Sequence, residues 1–538
     1  MDPTSLRTTL DKAGAIVFST IRGQACGCMQ VRAETMHREE LNIDAPHPSP
    51  MIRWTRLDTF ALATILIGAA VLRLVGLSRP IELVFDEVFY ARDACWYVFA
   101  SQDPCGISDL VSRAHPTLGK WMIASGIAAF GFEPFGWRVG VAVAGTLSVA
   151  VVYLLAWRLL RGFAVAQRGA TVGAVAASGL LATDFLHLVH SRVGMLDSFI
   201  VLFATAAVLF IVLDRDRIRD RSDAPWWWRA SLGRPWRLLA GVALGAAAGT
   251  KWSGAYVAPA VIGLVIAWEI AEQRRRATDS GWRDAIVGAV RREAGPTFVL
   301  LGIVPLLVYV AGYAGRMPGE LLALPWDRAS VWRGIWEHQW AMLDFHTTLA
   351  GDHPYQSPPW SWPLLRRPVA YWFGEDGGSY REILALGNPA LWWPGLVALA
   401  GLAFTWWKAG WALHRPEPVI LSAAVSTFVP WLILSGDRGQ TFLWYFLPTV
   451  PFLCLALACF AAWGWERVGG RVAVVGYAIL IVATFAFYVP VLTALPLDPD
   501  GWRMRMLFAD CDRVDGSTQK LPDDTTSEGV PPNGWCWI

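Results

Sequence analysis

Long apolar blocks decide most of what this chain can fold into. Eleven segments, near 59–77, 137–160, 171–190, 195–213, 237–251, 254–271, 297–314, 389–407, 418–435, 441–463 and 472–494, are built largely from Leu, Val, Ile, Ala and Phe. A helix crossing the hydrocarbon core of a bilayer needs about 20 largely apolar residues, and these blocks are of that order. The fifth is short and rich in Gly and Ala. With 54% of 538 residues hydrophobic, the chain carries more apolar surface than one aqueous core uses. That surface belongs against lipid and neighbouring helices. The expected architecture is an all-α polytopic membrane protein with about eleven transmembrane helices.

Charge placement orients it. Arg158, Arg161 and Arg168 follow the second span, seven Arg lie between 215 and 237, and six lie between 274 and 292. Lys408 with Arg415, and Arg467 with Arg471, mark two further connections. All fall on alternate loops, so those loops are expected to be cytoplasmic. The N-terminus is then inside, with residues 1–56 a disordered extension and Met51 opening a second start-like segment. Residues 57–494 form the membrane domain, and the tail 495–538 lies outside. The net charge of only +2 gives no case for a nucleic-acid partner.

Two long loops, near 78–136 and 315–388, fall on the extracytoplasmic side, and the polar residues that could make a site are concentrated there. This asymmetry points to chemistry at that face. In the first loop, Asp86 and Glu87 stand in VFDEVFYARDA. Two adjacent acids near a bilayer surface, flanked by Phe85, Phe89 and Tyr90, disfavour joint ionisation. A carboxylate poised in this way can take a proton from a hydroxyl. HPTLGK follows, with His115 and Lys120 as candidate phosphate holders. It is not a P-loop, because Trp121 stands where Ser or Thr is needed.

Arg138, Lys251 and Arg438 are further candidates for a phosphate. Arg192 and Asp197 read as a site pair or a structural ion pair. Asp184, His187 and His190, and separately His346 and His353, are spaced loosely enough that hydrogen bonding is favoured over metal binding. No Cys/His set has zinc-site spacing, and the sequence leaves any divalent-metal requirement open. Cys95 with Cys105, and Cys511 with Cys536, are candidate disulfides on the oxidising side. The second loop starts helical, with Trp332, Trp336 and Trp340 on one face, until Pro354, Pro358 and Pro359 break it.

In combination these motifs resemble the protein O-mannosyltransferase family over roughly 57–538. The resemblance rests on FDEVFYA, HPTLGK, GWR, SRVGMLD, GTKWSG, DFHTTLAGDHPYQSPPWSWPLL and WYFLPTVPF, in that order. The five Lys against many Arg, with abundant Ala, Gly and Val, suggest a GC-rich actinobacterial member. Two departures stand out. Thr117 replaces the family's usual Pro, and the second loop is too short for the lectin-like domain of eukaryotic members.

The resemblance implies a GT-C glycosyltransferase fold and a polyprenyl phosphate mannose donor. It also implies inverting transfer to Ser or Thr hydroxyls of secreted proteins. Because such segments arrive unfolded on the outer side, proximity to the secretion translocon is a further expectation that no residue carries. Asp86 would be the general base, and Glu87 would help hold donor or acceptor. A phosphate leaving group needs positive charge rather than an acid, so one base suffices. The alternatives are a GT-C enzyme acting on a lipid or cell-wall glycan and, less favoured, a transporter or flippase.

Overall fold

The computed structural model describes residues 53–161, 163, 165–219, 234–276, 281–314, 331–349, 353, 355–435 and 440–506. Cys26, Cys28, Arg438, and Cys511 with Cys536 lie outside the described residues.

Helix α1, Arg56–Leu74, opens on a capping box between Thr55 and Asp58, which satisfies two of the helix's unpaired amides. Its Phe60, Ile67 and Val71 are exposed, as a lipid-facing helix requires. Two short helices follow in the first loop, α2 (Glu87–Phe99) and α3 (Leu118–Phe130). The Cys95–Cys105 disulfide ties the end of α2 to the turn after it.

The bundle continues with α4 (Pro134–Leu160), α5 (Gln167–Ala182), α6 (Phe185–His190), α7 (Asp197–Arg219), α8 (Pro235–Thr250) and α9 (Ala258–Arg276). Helix α10 runs over Trp282–Ala311, with a π turn at Val299–Ile303 just after Pro296. Helix α11, Val331–Thr348, lies in the second loop. The chain ends on α12 (Pro389–Lys408), α13 (Glu417–Leu434), α14 (Val450–Trp465), α15 (Gly470–Leu492) and the short α16 (Pro499–Arg503).

Among the described residues, nine helical stretches are long and apolar enough to cross a membrane. The third and fifth expected spans take another form. Helices α5 and α8 have 16 residues each and are rich in Gly and Ala. They are packed among other helices, α5 between α4 and α14, and α8 between α7 and α10. Small residues allow that close approach: a Cβ on Gly241 of α8 would run into the Leu300 carbonyl of α10. The expected segment 171–190 breaks at Thr183, and Asp184 caps α6 by accepting from the His187 amide.

The second loop also contains strands. β1 (Val369–Asp376) and β2 (Ser379–Ala385) pair antiparallel, with Asp376 opposite Ser379. Gly377 and Gly378 take φ of +56° and +78° in the two-residue turn, which fits a tight hairpin whose central residues both need positive φ. Burial alternates along β1, so Val369, Tyr371 and Phe373 turn inward together.

Arg192 does not pair with Asp197. Its Nη1 donates to the carbonyls of Leu72, Arg73 and Val75, and its Nη2 to Gly76, at 2.8–3.1 Å. A guanidinium is well suited to this, since the last carbonyls of a helix lack amide partners. It therefore closes the end of α1.

Candidate functional site

Every part of the site depends on how the chain enters α2. Phe85 adopts φ of +50°, a strained setting for a bulky side chain that is retained only where packing over-determines it. The packing is visible. The Phe85 ring stacks on Tyr371 of β1 at 4.4 Å and meets Trp444 edge-on at 5.3 Å. This kink sets the direction in which the chain enters α2, with Asp86 at the N-cap and Glu87 in the first turn.

Glu87 turns inward and is fully buried. It accepts from the amides of Val84 (2.8 Å) and Gly194 (2.7 Å), and from Nε and Nη2 of Arg138 (both 2.7 Å). Arg138 also donates through Nη1 to the carbonyls of Leu77 and Pro80, and through Nη2 to Glu82. A guanidinium has five N–H donors, and these contacts occupy all five. Arg138 thus fastens residues 77–87 to α4.

Asp86 occupies the N-cap position of α2 but makes no capping bond, although Asp there usually accepts from an amide one turn on. Its half-buried carboxylate instead accepts from the Tyr90 hydroxyl at 3.1 Å. Burial pushes its pKa up to about 6, against the pull of Lys251 and the Tyr90 hydrogen bond and with a small push from Asp197. At neutral pH such a group is mostly a carboxylate, yet basic enough to accept a proton.

Lys251 follows directly on α8. Its Nζ lies 3.3 and 3.5 Å from the two oxygens of Asp197, and 4.6 Å from the centre of the Tyr445 ring. Asp197 stands in the first turn of α7, where the helix dipole favours a negative charge. His190 contacts the Tyr371 hydroxyl at 2.9 Å. The recess therefore combines one poised carboxylate, one lysine held by a carboxylate, and aromatic walls from Phe85, Tyr90, Tyr371, Trp444 and Tyr445.

The other sequence candidates divide around this recess. His115 lies 5.9 Å from Tyr90 and 5.6 Å from His346, ring centre to ring centre. His346 also contacts the Ala114 carbonyl at 2.9 Å. Both histidines thus approach Asp86 by way of Tyr90. His353 stands further off, against Phe442, whose ring stacks on Trp444. Burial lowers its pKa, which favours neutral imidazole.

Lys120 is buried and pairs with Asp93 at 2.7 Å and the Ser112 carbonyl at 2.5 Å. It ties α3 to α2. Asp184 accepts from the Trp392 indole, and His187 contacts Arg73. Among the described residues, no group of three or more His, Cys, Asp or Glu is arranged to hold a metal ion. Thr117 donates to the Gly312 carbonyl at 2.6 Å, a bond that proline has no donor to make.

Tyr371 and Tyr445 complete the site without standing out as candidates in the sequence, and His190, weighed there for hydrogen bonding over metal, makes its hydrogen bond to Tyr371. The available signal for Tyr371 was the Asp-Gly-Gly-Ser turn, which marks a hairpin between two alternating segments.

Known proteins supply an independent comparison. Residues 63–315 match the family model described as dolichyl-phosphate-mannose-protein mannosyltransferase. Residues 331–511 match the C-terminal four TMM region of protein-O-mannosyltransferase. The polyprenol-phosphate-mannose--protein mannosyltransferase of Mycolicibacterium smegmatis is 30% identical over 84% of this chain and 92% of its own length. Its counterpart in Corynebacterium glutamicum is 31% identical over 83% and 92%. Among solved structures, the S. cerevisiae protein O-mannosyltransferase Pmt1-Pmt2 complex bound to the sugar donor matches with a TM-score of 0.64. That match has 16% identity and covers 85% of this chain and 93% of the other.

Proposed function

The chain belongs to the protein O-mannosyltransferase family and is a glycosyltransferase, and we propose how its site performs the reaction. Its fold is the GT-C fold, built on a multi-pass membrane bundle. It moves mannose from a polyprenyl phosphate carrier to the hydroxyl of Ser or Thr in a secreted protein. The basic helix ends lie on the cytoplasmic side, so the Asp86 end faces outward. The N-terminus is then inside and the C-terminus outside. Acceptor segments emerging unfolded from the secretion machinery would meet this face first.

Asp86 is the general base. As its carboxylate takes the proton from the acceptor hydroxyl, the oxygen attacks the anomeric carbon. The bond from that carbon to the phosphate oxygen breaks, and the electron pair leaves with the phosphate. Attack opposite the leaving group inverts the anomeric centre. Lys251 offsets the charge gathering on the phosphate, and Asp197 holds its ammonium in position. Glu87 and Arg138 act by holding the 77–87 segment, and Lys120 acts by holding α3.

One observation carries this reading. Asp86 sits at an N-cap without capping, next to a carboxylate that is entirely bound by protein, and it faces the lysine. The test is transfer of radiolabelled mannose from polyprenyl phosphate mannose by the purified chain to a Ser/Thr-rich peptide and, separately, to a glycolipid. Label in the peptide is expected. Label only in the glycolipid would keep the donor and fold and overturn the protein acceptor.

A further inference from the structure

At the end of the bundle opposite Asp86, the helix termini frame an open cavity of about 550 Å³. It is lined by Phe163 beyond α4, Thr405 of α12, Arg415 between α12 and α13, and Trp463, Glu466 and Arg467 at the end of α14. The stretch Leu443–Trp465 separates the two sites, with Tyr445 beside Lys251 at one end and Trp463 at the other. At 1.5 Å per residue that is roughly 30 Å, the thickness of a hydrocarbon core.

Two guanidiniums shape this cavity. Arg415 is fixed by the fully buried Glu417, through Nε and Nη2 at 2.6–3.1 Å, and lies 5.5 Å from the centre of the Phe163 ring. Among the described residues its Nη1 meets no acceptor. Arg467 lies on the Trp463 ring at 3.3 Å and donates through Nη1 to the Trp463 carbonyl at 2.6 Å. The residue as a whole is exposed. Both carboxylates nearby have partners, since Glu417 holds Arg415 and Glu466 accepts from the Ala166 amide.

The surroundings point to lipid as the source of a ligand. Phe404, Trp407 and Trp463 are exposed large aromatics at these helix ends, the pattern of a membrane-interface belt. Lys408 lies over the Trp407 ring at 5.1 Å, and Arg471 donates to the Trp465 carbonyl. The volume falls within the range of about 300–1,000 Å³ typical of small-molecule sites, more than a bare phosphate would fill.

We propose that this cavity binds the phosphodiester headgroup of an anionic phospholipid from the leaflet opposite the active site. The forked edges of Arg415 and Arg467 take the phosphate oxygens, and the glycerol fills the space beside Thr405. The acyl chains run along the exposed aromatics of α12 and α14. Basic pockets between helix ends recognise anionic headgroups by this chemistry.

Native mass spectrometry of the purified, delipidated full-length chain tests it, with phosphatidylglycerol or phosphatidylcholine added back. Phosphatidylglycerol should be retained preferentially. Arg467→Gln should weaken its retention about fivefold, the factor that ~1 kcal/mol per basic residue gives at such a surface. Arg471→Gln, outside the cavity, should change it little. Thr405→Trp, which fills the space without removing charge, should also lower retention and serves if Arg467→Gln fails to fold. Equal retention of the two lipids would overturn the proposal, as would equal losses in Arg467→Gln and Arg471→Gln. Displacement of the lipid by equimolar soluble glycerol phosphate would overturn the membrane source. Retention is read without turnover, so this result stands or falls apart from the proposed reaction.

Discussion

Asp86 and Glu87 share a peptide bond, yet they sit in two regions of opposite character. Around Glu87, four donors meet one buried carboxylate, and Arg138 has every N–H occupied. Around Asp86, a tyrosine hydroxyl donates among the described residues, and Lys251, whose charge acts on it, leans on Asp197. The first region is closed, so its charges hold structure. The second is poised, so its charges can act on something that arrives. The left-handed Phe85 just before them sets the entry to α2, where Asp86 is the N-cap and Glu87 the first helical residue, so their side chains leave in different directions.

This contrast is testable by swapping charge for a neutral isostere on each side. Asp86→Asn should reduce mannosyl transfer by about 100- to 10,000-fold, the range for loss of a general base. Folding raises the Asp86 pKa from 3.8 to about 6, so its ionisation costs stability as pH rises between those values, and that loss persists above them. The Asn variant should therefore melt at the same temperature as wild type or higher. Near-normal transfer by the folded variant would remove Asp86 from the mechanism.

Glu87→Gln should behave in the reverse way. Leaving Arg138 buried and uncompensated costs about 3–5 kcal/mol, read as a lower melting temperature in detergent. An unchanged melting temperature would erase the distinction between the two regions. Lys251→Met should lower kcat by about 100- to 1,000-fold if it bears the phosphate charge, and a change confined to KM would make it a binding group only.

The pH profile sharpens the comparison further. Because Asp86 must be ionised to act, kcat/KM should rise with pH through about 6 and fall about tenfold per unit below it. Tyr90→Phe gives the smallest effect. The Tyr90 hydrogen bond lowers the Asp86 pKa, so its loss should move the rising limb to higher pH. A net hydrogen bond of about 0.5–1.5 kcal/mol corresponds to a shift of up to about one unit. A limb that stays in place or moves down would show that the bond does not tune the base.

How far the sequence could be read depended on whether an effect was local. The long spans were legible because a bilayer demands a run of apolar residues and leaves little alternative. Helix α5 is shorter than its apolar block suggested, and in both α5 and α8 Gly and Ala serve close packing between helices. The break at Asp184 was less visible, since its capping bond is local but its acceptance from Trp392 spans 208 positions. The hairpin at 369–385 had its turn residues in plain view, yet the aromatic and Pro-rich loop around it masked the alternation.

Among the charged candidates, Lys120 and Arg138 had the right residue type and neighbourhood for a phosphate. The tertiary structure gives both of them buried protein partners. Residue type alone cannot show this, because occupancy of a guanidinium or ammonium depends on carbonyls and carboxylates brought in from other segments.

By itself, the sequence determined a multi-pass helical membrane protein with its polar chemistry gathered in two loops, and it singled out the Asp86–Glu87 pair. Hydrophobic length and charge distribution act along the chain, so they are written in it directly. Only the tertiary structure decided which acid is poised and which is bound. It also brought Tyr371, His190, Lys251 and Tyr445 to the same recess from positions far apart in the chain. A pKa and a free donor are properties of surroundings, and those surroundings exist only once the chain has folded.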